Sequence, residues 1–260
     1  MSLFSVLFLF AVGIVAGFLN VFAGGGSLLS MPVMVFLGMP GPVANGTNRV
    51  AILIQNISAT LGFFRQGLSH FRLSASLALC ALPGAVLGAY WGTKLEGPWF
   101  NRTLAAVMLG VLLLMWKKKK KPEDSLPTES SEEPFGSGRI LLAHACMVGV
   151  GLYGGFIQAG VGFLIMAVLH RVLLLDLVHV NMHKVFIIGA YTAVALAVFA
   201  FEGRVLWGAG AALAAGNAIG GWVAAHVAVK RGDGAIRVVL NGVLIVMVIK
   251  LLADSFQISG

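Results

Sequence analysis

Charged residues are scarce in this chain. Only 11% of its 260 residues are charged and 58% are hydrophobic, and the mean hydropathy is +0.93. A soluble domain carries roughly 25% charged residues, so this chain lacks the polar surface that a water-facing globule needs. Its apolar runs approach the roughly 20 residues that span a bilayer. A soluble enzyme, a nucleic-acid-binding domain and a disordered chain are excluded. We predict an all-α membrane protein, a polytopic helical bundle embedded in a lipid bilayer.

Cysteine is also scarce. Cys80 and Cys146 both lie in apolar segments, without a CxxC motif or a His/Cys cluster. They are interpreted as buried free thiols, so we expect no redox chemistry, no metal site and no cofactor. Residues 3–21 have no basic segment before them and no Ala-x-Ala cleavage site. They predict a retained first helix rather than a signal peptide.

The positive charge is concentrated in one place. The net charge is +8, and five consecutive lysines at 117–121 directly follow an apolar run. Such a block is typical of a cytoplasmic loop under the positive-inside rule, and no nucleic-acid partner is needed to explain it. Residues 117–138 are rich in charge, Pro and Ser and predict a flexible cytoplasmic linker. The predicted domains are therefore a first transmembrane repeat, 1–116, this linker, and a second transmembrane repeat, 139–260.

The two apolar halves align without a gap at a shift of 136 residues. The shift superimposes glycines, asparagines, a lysine and the linking turns, which chance similarity between apolar segments does not readily produce. The matched positions include Ala23 with Ala159, Gly24 with Gly160, Gly26 with Gly162, Asn45 with Asn181, Asn48 with Lys184, Phe63 with Phe199, Gly67 with Gly203, and Lys94 with Lys230. We therefore predict a duplicated unit.

Each unit contains five apolar segments, giving eight to ten membrane segments. Their predicted bounds are 3–22, 27–40, 44–64, 73–94 and 101–116, then 139–158, 163–175, 182–201, 205–229 and 236–253. The second segment of each unit is short and follows a glycine cluster. It is either an ordinary tilted span or a re-entrant or broken helix, and short, glycine-interrupted segments at matching repeat positions indicate transporter sites.

The distribution of Lys and Arg predicts the orientation. Loop 65–72 and the linker should be cytoplasmic and loop 95–100 external, which places 202–204 outside and 230–237 inside. Matching turns then lie on opposite sides of the membrane, so the repeats have inverted topology. Inversion needs an odd number of spans per half, and five per half satisfies this condition. If the two short segments re-enter instead, eight full spans remain and the argument for inversion weakens.

Polar residues inside the membrane cluster at repeat-equivalent positions. Such groups are costly unless they face the bundle interior or a water-filled cavity. They lie near the N-terminus of the third helix of each unit, and helix N-termini favour anions. Arg49 and Lys184 add full positive charges. Two such N-termini converging from opposite sides predict a midplane site for a small anion. The polar residues are Asn45, Thr47, Asn48, Arg49, Gln55 and Asn56 in the first half, and Asn181, His183, Lys184, Tyr191 and Thr192 in the second.

Each of these residues also has a structural explanation. Asn45 and Asn181 could be helix N-caps, and Arg49 and Lys184 could extend to an interface. The glycine clusters 24–26 and 160–162 could let backbone approach a ligand or break a helix, or could be packing contacts. Packing is the interpretation that we favour for the small-residue motifs Gly84-x-x-x-Gly88-x-x-x-Gly92 and Gly216-x-x-x-Gly220.

The titratable residues favour an anionic or neutral substrate. His179 and His183 are four residues apart, a spacing also used for metal ligands, but no carboxylate or cysteine completes a set. A proton-sensing or hydrogen-bonding role is therefore favoured over metal binding. All ten acidic residues lie in loops or near segment ends. A cation pump would normally need a buried carboxylate.

With these residues in view, the chain resembles the TauE/SafE family of sulfite exporters, the TSUP permeases. The resemblance covers nearly the whole chain except the linker, which is not part of the family pattern. It implies duplicated units of four to five helices and a plasma-membrane transporter of sulfur-containing anions such as sulfite, sulfoacetate or other organosulfonates. It rests on Gly24-Gly25-Gly26-Ser27-Leu28-x-x-x-Pro32, Ala44-Asn45-Gly46-Thr47-Asn48, Gly155-x-x-x-Ala159-Gly160-x-Gly162, the Lys184 segment and Phe199-x-x-x-Gly203-x-x-x-Trp207.

The leading hypothesis is a secondary transporter, in the direction of export, that works by alternating access between the repeats. It would sit in the inner membrane of a bacterium or archaeon and could be coupled to H⁺ or Na⁺. An anion channel is the alternative. An intramembrane enzyme is disfavoured, and no catalytic residue is predicted. The predicted substrate-binding residues are Gly24, Gly25, Gly26, Asn45, Gly46, Thr47, Asn48, Arg49, Gln55, Gln158, Gly160, Gly162, Asn181, His183, Lys184 and Tyr191.

Overall fold

The computed structural model describes residues 3–68, 71–116 and 137–228, and within these ranges the regular secondary structure is helical. The predicted segment 236–253 and nearly all of the predicted linker lie outside the described residues. The described helices are α1 (Leu3–Ala23), α2 (Ser27–Phe36), α3 (Gly41–Arg65), α4 (Phe71–Lys94), α5 (Gly97–Trp116), α6 (Ser137–Phe156), α7 (Val161–Arg171), α8 (Leu177–Phe201) and α9 (Trp207–Ala228).

Several helices have the length and the surface of membrane spans. Four described segments are long and apolar enough to cross a bilayer: Leu3–Val21, Phe71–Lys94, Gly138–Phe156 and Leu177–Phe201. Large apolar side chains such as Leu79, Trp91 and Leu141 are mostly exposed, while polar side chains such as Asn48 and Gln55 are buried. Exposed large apolar side chains together with buried polar ones suit a hydrocarbon solvent. The prediction of an all-α polytopic membrane protein is confirmed.

The second helix of each half is too short to cross a membrane. The helices α2 and α7 have 10 and 11 residues, or about 15 Å at 1.5 Å per residue, about half of the hydrocarbon thickness. A left-handed glycine precedes each one, Gly24 with φ +81° and Gly160 with φ +70°. The backbone therefore favours the broken-helix interpretation of these segments over an ordinary tilted span.

The 136-residue register of the sequence recurs in the backbone. The bounds of α3 and α8 are 136 residues apart at both ends. Three pairs of positive-φ residues are also 136 residues apart: Gly24 with Gly160, Gly38 with Leu174, and Gly67 with Gly203. Leu174 thus adopts the left-handed conformation for which the first half uses a glycine. The two halves bend at the same places.

The helices of the two halves are interleaved through close backbone contacts. The first helix of each half packs against the fourth helix of the other, α1 on α9 and α6 on α4. A methyl group at Gly84 would lie 2.7 Å from the amide nitrogen of Leu152, and one at Gly220 would lie 2.8 Å from that of Phe18. The spaced glycine motifs are therefore helix-packing contacts, as predicted.

The order of contacts along the helices gives their directions. Gly13 meets Leu213 and Gly17 meets Asn217, so positions increase together and α1 runs parallel to α9. In the same way, Gly151 meets Ala81 and Gly155 meets Ala85, so α6 runs parallel to α4.

The central helices follow the same rule. Thr47 contacts Leu206 and Ser58 contacts Ala218, so α3 is parallel to α9. His183 contacts Ser74 and Glu202 contacts Lys94, so α8 is parallel to α4. Because 202 and 206 belong to one loop, α4 and α8 end where α3 and α9 begin. Register-equivalent helices therefore run in opposite directions.

Two ion pairs join the α4–α5 loop to the α8–α9 loop. Lys94 Nζ lies 2.7 Å from Glu202 Oε2, and Arg204 pairs with Glu96. Both loops are predicted to be external. The contact between them agrees with these predictions, because loops that touch lie at the same end of the bundle. At the opposite end of α3, Gln66 donates to the carbonyl of Ala225 at 3.3 Å. The side of the membrane on which each end lies stays a prediction.

Candidate functional site

The helices α3 and α8 carry the polar interior, and both begin earlier than predicted. Pro40 is the N-cap residue of α3. Asp176 is that of α8, where its carboxylate accepts from the N–H groups of Val178 at 2.9 Å and His179 at 3.1 Å. Asn45 and Asn181 therefore lie inside the helices, and the N-cap alternative is wrong for both. Asn45 and Asn181 are each the fifth residue of their helix, so the polar sets begin about one turn inside the N-termini, in agreement with the prediction that they lie near these helix ends.

Arg49 is fully buried and binds the C-terminal end of α6. Its Nη1 donates to the carbonyl of Gly154 and to Gln158 Oε1, both at 3.0 Å, and Nη2 donates to the carbonyl of Gly155. The last carbonyls of a helix form the negative end of its dipole. The guanidinium thus caps the first helix of the other half, and the alternative that it extends to an interface is wrong.

Two further contacts complete the surroundings of this guanidinium. Nη2 also donates to Asn45 Oδ1 at 3.3 Å, and the ring of Phe199 lies 4.6 Å from the guanidinium carbon. Asn45 in turn donates to the carbonyl of Phe156 at 2.8 Å. Asn45 and Arg49 therefore bind three successive carbonyls of the last turn of α6.

No carboxylate neutralises Arg49 within the described residues, where the ion pairs are those of Lys94, Arg204 and His179. A charge without a counter-ion is expensive in an apolar interior. The carbonyl oxygens that bind the guanidinium carry no net charge, so the positive charge of Arg49 is not neutralised. A buried charge of this kind in a membrane protein indicates a functional site.

Three buried donor groups on α3 have no hydrogen-bond partner in the described structure: Asn48 Nδ2, Arg49 Nε and Gln55 Nε2. An unsatisfied buried polar group costs about 1–3 kcal/mol. Asn48 and Gln55 are seven residues apart, so they share one face and are separated by about 10 Å along the axis. Arg49 directly follows Asn48 and is turned about 100° from it around the helix axis. The three groups suit a ligand that accepts hydrogen bonds, and we call them the donor column.

Gln158 links Arg49 to α8. It lies in the break between α6 and α7, and its Nε2 donates to Tyr191 Oη at 3.0 Å and Thr192 Oγ1 at 3.3 Å. Ser27 holds this break in place, since its hydroxyl donates to the carbonyl of Gln158 at 2.8 Å and accepts from the N–H of Gly160 at 3.4 Å. Ser27 belongs to the motif behind the family resemblance but is not among the predicted substrate-binding residues, and Phe163 occupies the equivalent position in the second half.

Lys184 makes the corresponding contact with α1. It is fully buried, and its Nζ donates to the carbonyl of Val21 at 2.8 Å and to Asn181 Oδ1 at 2.6 Å. Val21 belongs to the last turn of α1. Each buried cation thus caps the first helix of the opposite half, although the register mate of Lys184 is Asn48 rather than Arg49. The alternative that Lys184 extends to an interface is also wrong.

An amide cluster surrounds Gln55. Its Oε1 accepts from Asn20 Nδ2 at 3.1 Å and from Asn217 Nδ2 at 3.3 Å. Sequence reasoning missed Asn20 and Asn217. Each is an isolated amide in an apolar helix, and the cost of polar groups at membrane depth was the signal that could have found them.

The two glycine clusters meet each other. A methyl group at Gly24 would lie 2.7 Å from the carbonyl carbon of Gly162, and one at Gly162 would lie 2.5 Å from Gly24 Cα. Gly25, between Gly24 and the equally buried Gly26, is also buried. The clusters therefore serve as a packing contact that brings the two helix breaks together.

The remaining predicted residues make contacts other than hydrogen bonds to the Arg49 guanidinium. Thr47 Oγ1 accepts from the N–H of Leu206 at 2.9 Å. A methyl group at Gly46 would lie 2.8 Å from Phe199 Cδ1. Asn48 Oδ1 accepts from Ser30 at 2.7 Å, while His183 pairs with Ser74 on α4. The predicted set is therefore distributed over several contacts around α3 and α8.

Comparison with known proteins agrees with this architecture. The sequence model of the family described as "Sulfite exporter TauE/SafE" matches residues 9–251. A "Probable membrane transporter protein ORF9" of Sinorhizobium sp is 29% identical over 95% of this chain and 92% of the relative. A "Probable membrane transporter protein" of Haemophilus influenzae is 26% identical over 95% and 94% of the two chains.

A third relative, the "Probable membrane transporter protein YfcA" of Escherichia coli K12, is 27% identical over 95% of this chain and 89% of the relative. No solved structure matches the chain. The family model covers most of the chain, including all the helices around Arg49 and Lys184 and all but the first residues of α1. The protein therefore belongs to the TauE/SafE sulfite exporter family of membrane transporters.

Proposed function

We propose that the protein is a secondary transporter that exports a small sulfur-containing anion, such as sulfite or an organosulfonate, across the plasma membrane of a bacterium or archaeon. The family match supports a transporter. The observation that carries the choice of an anion is the donor column, in which three unpartnered donors of Asn48, Arg49 and Gln55 lie buried on one helix.

The charges support an anion over a cation. The three unpartnered groups donate hydrogen bonds, and one belongs to a fully buried guanidinium. An anion would neutralise the charge of Arg49 and accept from these donors, whereas a cation would be repelled. Sulfite and sulfonate groups each present three oxygen acceptors. Because Gln55 is about 10 Å from Asn48 along α3, the donors are successive positions on a path rather than one pocket.

The arrangement of the two halves supports alternating access. We take the antiparallel, register-equivalent helices as inverted repeats in the membrane, with the 117–138 linker in the cytoplasm. Arg49 and Lys184 each contact the first helix of the opposite half, and the breaks at Gly24 and Gly162 touch. A movement of one half against the other would therefore alter the contacts of both cations.

Anion binding to the purified protein tests this proposal. The melting temperature is measured with sulfite, thiosulfate, sulfoacetate and a neutral thiol, in wild-type protein and in Arg49→Gln. We expect at least one sulfur anion, and not the thiol, to stabilise the wild-type protein and to lose this effect in the variant. Arg65→Gln is the matched control, since Arg65 lies exposed in the last turn of the same helix.

Two results would contradict the proposal. One is a folded wild-type protein that none of the three anions stabilises. The other is an Arg49→Gln variant that is stabilised as strongly as the wild type. Saturable flux with counterflow in vesicles would identify a carrier, and unitary currents would identify the alternative, an anion channel.

A further inference from the structure

Ser74 and His183 form a buried pair that the donor column does not use. Ser74 Oγ lies 2.7 Å from His183 Nδ1, and the two residues are 3% and 1% exposed. The pair joins α4 to α8, and His183 directly precedes Lys184. Histidine is the side chain whose charge ordinarily changes between about pH 5 and 8. His183 is therefore a buried group that can bind a proton, next in sequence to a buried cation.

A surface depression reaches this pair from the end of the bundle near loop 65–72. Two of its walls, Phe64 and Phe71, are about half exposed, while Ser74 lies at its buried end. The loop is predicted to be cytoplasmic. Ser74 therefore connects His183 to that surface. The depression is lined by Thr60, Phe64, Leu68, Phe71, Ser74, Met182 and Phe186.

The charges around His183 couple a proton to an anion. Lys184 is the adjacent residue, and its positive charge repels a proton on the imidazole. An anion that binds near Lys184 offsets this repulsion, so the proton and the anion each favour the binding of the other.

Other charged and titratable groups lie on α8 and on the helices that pack against it. They are Asp176, directly before α8, His179 and Tyr191 on α8, Arg49 and Arg65 on α3, Arg72, Cys80, Tyr90 and Lys94 on α4, Arg139, His144, Cys146 and Tyr153 on α6, and His170 and Arg171 on α7.

We propose that His183 is the coupling-proton site of the transporter: it takes up one proton when the anion binds and exchanges that proton with the cytoplasm through Ser74 and the depression. The inference rests on the proposed anion transport. One proton then moves with each anion, so a monovalent anion crosses without net charge.

Proton movement in vesicles tests the site. Purified protein is reconstituted with a pH-sensitive dye inside, and the protons moved per anion are measured with sulfite, thiosulfate and sulfoacetate gradients. The ratio is compared between wild-type protein and His183→Gln, so that the protonation of the anion itself cancels. We expect anion flux in both proteins, with about one proton fewer per anion in the variant.

The chain offers a matched control. His144 is another histidine paired with a serine of α4, since its Nε2 lies 3.1 Å from Ser76 Oγ and its Nδ1 lies 2.7 Å from the carbonyl oxygen of Ile140. Because this pair lies away from Lys184 in the sequence and on another helix, His144→Gln should keep the wild-type ratio.

The outcomes separate this inference from the proposed function. Anion flux with the same proton ratio in wild type and His183→Gln would overturn the proton site and leave anion transport standing. No flux of any of the three anions in the wild type would overturn both. If His183→Gln does not fold, Ser74→Ala serves instead. It should lower the ratio below that of wild type, and an unchanged ratio would overturn the inference.

Discussion

Replacing Asn48 with leucine should separate ligand binding from stability. Asn48 Nδ2 has no partner among the described residues, and Oδ1 accepts one hydrogen bond, from Ser30. Asn48→Leu removes an unsatisfied donor that costs about 1–3 kcal/mol and one hydrogen bond that contributes about 1 kcal/mol. The Ser30 hydroxyl keeps an acceptor, the carbonyl of Gly26 at 3.5 Å. The free energy of unfolding should therefore be unchanged or rise by up to about 2 kcal/mol.

Binding should change in the opposite direction. A hydrogen bond to a charged ligand contributes about 1.5–3 kcal/mol, so Asn48→Leu should weaken anion binding by roughly 10- to 150-fold. The assay is the melting temperature without anion and across an anion titration. Without anion, we expect the variant to melt no lower than the wild type and up to about 6 °C higher. Its anion-dependent stabilisation should need a correspondingly higher anion concentration.

Asn56→Leu is the control for this experiment. Asn56 is also a buried amide of α3 with one unpartnered atom, but that atom is the acceptor Oδ1, which an anion does not use, and its Nδ2 donates to the carbonyl of Ile52 in the same helix. Its replacement should leave the anion dependence near that of wild type. The reasoning is refuted if Asn48→Leu melts several degrees lower and binds anions as the wild type does, since Asn48 would then be a structural residue.

Three further predictions concern stability. Gly24→Ala should destabilise the protein by more than Gly38→Ala. Both glycines have left-handed φ, but only the methyl group at Gly24 would meet another backbone, since Gly38 has open space around it. Gly38→Ala should cost about 1 kcal/mol, and thermal unfolding of both variants measures the difference. Lys94→Ala should lower the melting temperature only slightly, because its ion pair is exposed to solvent, and 1 M salt should remove most of the effect. Asp176→Ala should cost about 1 kcal/mol through the lost cap of α8, and an unchanged melting temperature would contradict the capping role.

Much of the architecture could be predicted because it depends on local pattern. Apolar runs of span length predicted the long helices, and the glycine clusters predicted the breaks before α2 and α7. The 136-residue shift, found from the sequence alone, also relates Gly38 to Leu174. Comparison of residue types could not find this pair, because the second half has a leucine in the strained left-handed conformation where the first half has a glycine.

The starts of α3 and α8 were predicted about three to five residues too late. The prediction began each helix at the first clearly apolar stretch, at 44 and 182, whereas the helices begin at Gly41 and Leu177. Pro42, in the first turn of α3, and Asp176, directly before α8, are recognised helix-start signals. Attention to these two residues would have placed both Asn45 and Asn181 about one turn inside the helices.

The partners of the buried cations could not be predicted. Arg49 binds carbonyls 105 and 106 residues away, and Lys184 binds one 163 residues away. Spacing along one helix shows which side chains share a face, but it does not show which helix end packs there. Ser27 was missed for a related reason, since its role depends on a contact with Gln158 in the other half.

Counterflow of labelled sulfite into vesicles containing the purified protein tests the central claim most directly. With unlabelled sulfite inside, we predict saturable, transient accumulation of label by wild-type protein and by Arg65→Gln, and its loss in a folded Arg49→Gln variant. Equal accumulation by Arg49→Gln and wild type would contradict the claim that the buried guanidinium of Arg49 binds the transported anion.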